Sequence, residues 1–161
     1  MWGRITDSEQ LESVHSATLS YPVTFCQSKI IPIYGMNNWL TEKVKTQVAY
    51  LLEDDCFLCK EDTARRGGKG LRVKRHQFRA KELVKVIHRL YFHRKGNHRA
   101  KALFDKINGA FVCFVGAVMR FCLKAWITGE SAGSTEFRYE SACCMYIKHA
   151  SWKEANRTRH V

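Results

Sequence analysis

Proline is scarce. Only Pro22 and Pro32 occur in 161 residues, so the chain beyond residue 32 is free to be helical. Internal repeats and heptad runs are absent, which excludes a solenoid and a long coiled coil. The opening MWGRITDSEQ has charge and polarity where a secretory leader needs an apolar run. The seven cysteines are odd in number and are expected as reduced thiols, in a protein of the nucleus or cytoplasm that is not secreted. Asn156-Arg157-Thr158 has the form of a glycosylation sequon, which carries no meaning without a leader.

Acidic residues are nearly missing from one quarter of the chain. Between Arg65 and Lys101 there are 14 Lys or Arg and a single acid, Glu82. Elsewhere 13 basic residues face 14 acidic ones, so the net charge of +12 belongs to this one segment. A concentrated positive patch attracts polyanions.

Aliphatic and aromatic residues are plentiful, and they concentrate in Ile107 to Thr128, INGAFVCFVGAVMRFCLKAWIT. Ala110 to Met119 carries no charge, and Arg120 and Lys124 then share one helical face. At ~1.5 Å per residue the run reaches about 33 Å, enough to cross a bilayer. Arg120 opposes that, because a central Lys or Arg costs roughly 2.5–3.5 kcal/mol on insertion. Burial in a soluble domain returns ~1.5–3 kcal/mol for each large apolar side chain. The segment therefore reads as a buried central helix that ends at Gly129, and no membrane partner is expected.

Taken in order, residues 1–36 read as an N-terminal arm of low order. Asp7 to Gln10 fits a short capped helix. Tyr21 to Tyr34, with its two prolines, fits an extended segment or an edge strand. Residues 37–154 read as one helical domain. Asn37 and Asn38 are candidate caps for a helix from Trp39 to about Phe57, with Leu40, Val44, Val48, Leu51 and Leu52 as its apolar stripe. Glu53-Asp54-Asp55 reads as a helix end facing solvent, or as a partner for the basic segment. Residues 60–76, rich in glycine, read as a flexible basic linker. Gln77 to Phe92 is amphipathic: Leu83, Val86, Ile87, Leu90 and Tyr91 form the apolar stripe, with Lys81, Glu82, Lys85 and Arg89 outside it. After a basic loop and the central helix, a last helix runs from about Glu136 to Glu154, and residues 155–161 form a tail. The expected fold is all-α: a small irregular bundle of four to five helices around a buried central helix at about 107–128.

The catalytic motifs are weak. Cys56 and Cys59 form C-x-x-C, but the histidine spacing of a zinc finger does not follow, and Cys56 fits the core stripe. Gly129-Glu130-Ser131-Ala132-Gly133 matches G-x-S-x-G, yet it follows a helix where the esterase elbow needs a strand. Gly67-Gly68-Lys69-Gly70 lacks the phosphate-loop pattern. Cys113, Cys122, Cys143 and Cys144 read as small buried hydrophobes, and His149 as a packing or capping residue. No catalytic residue, cofactor or metal ligand is assigned.

The second half is similar to a family of helical domains of unknown function found mainly in basidiomycete fungi. The carriers are QFRAKELVKVIHRLYF, then Leu123, Trp126 and Gly129 in LKAWITG, then Phe137, Tyr146 and His149 in the final helix. The likeness runs from about Phe78 to Trp152. It implies a helical fold and a fungal source, and no activity.

The basic segment is the one functional signal. Arg65, Arg66, Lys69, Arg72, Lys74, Arg75, Arg94, Lys95, Arg99 and Lys101 are the candidate polyanion-binding residues. The expected function is an interaction module, not an enzyme, that binds nucleic acid without sequence preference or an acidic protein. The bland alternative is a protein–protein interaction domain whose basic run serves only nuclear import. Oligomeric state is not legible. A pocket lined by two or more of the His, Cys and acidic residues would favour an enzyme, and a flat basic face the module.

Overall fold

The computed structural model describes residues 22–62, 71–73, 77–92, 109–133, 136–138 and 140–157. Among these the chain is mostly helical. Helix α1 covers residues 22–33. It is followed by α2 (Thr41–Leu52), a 3-10 segment (Glu53–Leu58), β1 (Lys60–Asp62), β2 (Leu71–Val73), α3 (Lys81–Phe92), α4 (Gly109–Lys124) and α5 (Glu140–Arg157).

The central-helix expectation holds. In α4, Cys113, Val115, Ala117, Val118, Met119, Cys122 and Leu123 are buried. Helices α2, α3 and α5 and the 3-10 segment all pack on it. No helix among the described residues is long and apolar enough to cross a membrane. Past Lys124 the chain turns, and Gly129 takes φ +88°. It also lies against α2: a Cβ there would collide with the Thr41 carbonyl oxygen.

Residues 22–33 overturn the reading of Tyr21 to Tyr34 as an extended segment or edge strand, while residues 1–21, with the short helix expected at Asp7 to Gln10, lie outside the described residues. Val23, Cys26, Ile30 and Ile31 fall on one helical face, and the last three are buried. Pro22 stands at the described start of the helix, where a missing N–H is tolerated. Pro32 lies in the last turn, so it removes only one late hydrogen bond. The exit is a Schellman cap: Met36 N–H donates to Ile31 O (3.0 Å) and Gly35 N–H to Pro32 O (3.0 Å), with Gly35 at φ +71°. The short stripe and its glycine stop outweigh the prolines.

Three further expectations need correction. Helix α2 begins after Leu40, and neither Asn37 nor Asn38 caps it; no side chain closes its N-terminus. The supposed flexible linker contains a two-stranded antiparallel pair, with Lys60 opposite Val73 and Glu61 opposite Arg72. Its strands are too short and too charged to announce themselves by β propensity. Finally, Cys143 and Cys144 are exposed, while Cys26, Cys56, Cys59, Cys113 and Cys122 are buried. Helix α5 turns Met145 and His149 inward, and these cysteines fall on its other side.

The inner side of α5 is fixed by rings. Phe137, just before it, meets Phe121 edge-on at 5.4 Å and Phe114 at 6.0 Å between centroids. His149 meets Phe78 edge-on at 4.5 Å. Its expected packing role is thereby seen directly.

Candidate functional site

Three polar features stand out, and the sequence pattern foretold only part of them. The first lies where the hairpin meets α3. Arg72, expected on a solvated basic surface, is instead turned inward, and its side chain is only 6% exposed. Its Nη1 donates to Glu82 Oε2 (3.3 Å) and to Cys59 O (3.0 Å). Its guanidinium lies 5.5 Å from the Tyr34 ring centroid, and its backbone N–H donates to the Tyr50 hydroxyl (3.0 Å). Glu82, expected outside the apolar stripe, is buried because this partner neutralises it. Burial of two unlike charges is tolerable only when each meets the other with good geometry.

The surrounding cavity has a volume of about 460 Å³. Tyr34, at the exit of α1, forms part of its wall and donates through its hydroxyl to Phe57 O (3.3 Å). Burial pushes the phenol far above the usual tyrosine range, although the charge of Arg72 pulls the other way. Lys43 lies 4.3 Å over the Trp39 ring. At the rim Lys81 Nζ bonds Glu61 Oε2 at 3.0 Å, and that bond raises the lysine pKa. Two acids lining one cavity is the pattern that would favour an enzyme. Here each acid is held by a cation, so the wall offers fixed charge and donors rather than an uncommitted base.

The second feature centres on Asp55. The acidic run was expected to face solvent, but Asp55 is buried within a left-handed turn, with Asp54 at φ 48° and Asp55 at φ 55°. Its Oδ2 accepts from Lys148 Nζ at 2.7 Å, and Arg120 Nε lies 3.5 Å from Oδ1. The partners come from α5 and α4, not from the basic segment. Asp55 Oδ1 and Arg120 Nε are buried and make no hydrogen bond among the described residues.

The third is a groove of about 620 Å³ between α1 and α3. Phe25, Pro32, Ile33 and Val84 supply apolar surface; Val84 is 57% exposed. Lys29, Lys85, His88 and Arg89 complete the lining, without any acid. Lys29 was missed because its segment read as extended, so its position facing α3 had no sequence signal. Of the ten candidate polyanion residues only Arg72 is described. Arg65, Arg66, Lys69, Lys74, Arg75, Arg94, Lys95, Arg99 and Lys101 lie outside the described residues.

Of the remaining motifs, Gly67-Gly68-Lys69-Gly70 lies outside the described residues. No group of three or more His, Cys, Asp or Glu able to hold a metal occurs among the described residues. Cys56 and Cys59 are buried in the 3-10 segment and its exit. Ser131 is exposed in a loop after α4, with no strand before it.

No curated protein and no solved structure matches the chain. A family model does match, over residues 13–155, far beyond the second-half likeness seen in the sequence. The positions that carried the likeness hold the fold together: Leu123 in the core, Gly129 on Thr41, Phe137 on Phe121, and His149 on Phe78. The chain belongs to the family described as Domain of unknown function (DUF6532).

Proposed function

We propose that the protein is a non-enzymatic helical interaction module that binds a polyanion, nucleic acid foremost, across the α1–α3 groove and the basic segment 65–101. The observation that carries this reading is the groove lining: Lys29, Lys85, His88 and Arg89 with no acid among them. Such a surface attracts phosphate through its charge, a contact that carries no sequence information. A nuclear or cytoplasmic location and a basidiomycete fungal source belong to the same reading.

Binding to a labelled DNA duplex, measured across a salt series, tests it. Five neutralised phosphates give a log–log slope of about −4.5. Replacing both Lys29 and Lys85 with Gln makes the slope shallower by about two. Absence of binding at low salt overturns the proposal. A second reading is supported by the exposed apolar side chain of Val84 beside those cations: an acidic protein segment in the groove, with the basic run serving nuclear import. Weak salt dependence together with capture of an acidic amphipathic peptide would favour it.

A further inference from the structure

The cavity around Arg72 has the makings of a small-molecule site separate from the polyanion groove. Its volume of about 460 Å³ falls in the ~300–1,000 Å³ range of ligand pockets. Arg72 and Glu82 line it although their side chains are only 6% and 5% exposed. The side-chain bonds of Arg72 run through Nη1, to Glu82 Oε2 and Cys59 O. Nε and Nη2 form no hydrogen bond within the described residues and are not sealed from the cavity. The guanidinium is therefore held in place with donors left over, the arrangement that receives a planar oxyanion.

Charge narrows the choice. Lys43, Arg72 and Lys81 face Glu61 and Glu82 around the cavity, leaving one positive charge in excess. Shape narrows it again. Trp39 and Tyr34 supply flat apolar surface, and Lys43 already rests on the Trp39 ring as an ammonium does on a π face. Thr46 and Gln47, a turn along α2 from Lys43, add neutral polar groups.

We propose that this cavity binds a small flat organic anion, with its single carboxylate or phosphate group on Arg72 and its ring beside Trp39. The glutamate fixes the arginine, the lysines at Lys43 and Lys81 gate the rim, and the ligand supplies the missing negative charge.

The test follows the indole N–H signal of Trp39 by ¹H–¹⁵N NMR, assigned with Trp39→Phe. The probes are phenylacetate and phenyl phosphate, with neutral phenylacetamide and cationic phenethylammonium as controls. The expected result is a saturable shift with one or both anions at a Kd of about 0.1–1 mM, weak as suits so small a ligand. Preference between the two anions identifies the headgroup as carboxylate or phosphate. Lys43→Gln and Lys81→Gln, both at the rim, each weaken binding several-fold, whereas Lys29→Gln in the groove leaves it unchanged. Arg72→Lys, which keeps the charge and loses the fork, weakens it at least about tenfold. An equal response to the amide overturns the proposal. So does the absence of saturation by about 10 mM of either anion, which would make the ion pair purely structural.

Discussion

Lys148 Nζ lies 2.7 Å from Asp55 Oδ2, which ties the last helix to the turn after α2 across 93 residues of sequence. Arg120 of α4 approaches the other oxygen, so one carboxylate joins three elements. Its two partners are unequal contributors. The Lys148 side chain is half exposed, so Lys148→Met is expected to cost only about 0.5–1 kcal/mol. Asp55→Ala leaves Arg120 without its counter-charge and is expected to cost about 2–3 kcal/mol. Urea unfolding of the two variants against the parent checks the ordering. Equal small losses would show that the buried carboxylate is dispensable.

Gly129 and Gly35 separate two reasons for glycine. Both have positive φ, +88° and +71°. Nothing lies within 4 Å of a Cβ built at Gly35, so Gly35→Ala meets only the backbone cost of about 1–2 kcal/mol. At Gly129 the added carbon collides with the Thr41 backbone, so Gly129→Ala must also push α2 away from the end of α4. Its loss should exceed that of Gly35→Ala by at least about 1–2 kcal/mol. Thermal midpoints of the two variants provide the comparison.

Stability is expected to hold through neutral pH and then fall in alkali. Hydrogen bonding to Cys26 and burial raise the Cys122 thiol above its ordinary 9.0, and burial raises the Tyr34 phenol above its ordinary 10.0. In both, the folded state holds the proton more tightly than the unfolded chain does. The contribution is therefore complete below the ordinary values and is lost as pH rises from them towards the folded values. Each group adds a slope of about −1.4 kcal/mol per pH unit within its window. Urea midpoints from about pH 8 to about pH 11 should decline, and Tyr34→Phe should soften the decline above pH 10.

Thiol chemistry should divide the cysteines two against five. Cys143 and Cys144 are exposed on α5 and are expected to react with an aromatic disulfide reagent in the native protein. Cys26, Cys56, Cys59, Cys113 and Cys122 should react only after unfolding. A count of more than two fast thiols would contradict the burial of these five.

The legible parts of the chain were those where local pattern and global role agree. Helix α4 announced itself by apolar residues on most sides, and α3 by the stripe of Leu83, Val86 and Ile87, all buried. Helix α1 misled because two prolines spoke louder than Val23, Cys26, Ile30 and Ile31. Its Gly35 was the available stop signal, and with Pro22 at the start it bracketed a short helix. The candidate site was less legible. Arg72 looks like any other member of a basic run, and nothing in its neighbours marks it for burial. Glu82 is ten residues away, and the partnership exists only because β2 and α3 are brought together.

By itself the sequence determined a helical chain built on one apolar rod, and it placed the excess positive charge in one segment. Periodicity and composition are local quantities, and they suffice for both. Only the tertiary structure decided which charges leave water. Burying Arg72, Glu82 and Asp55 requires an opposite charge delivered from another element of the fold, and such a meeting has no local signature.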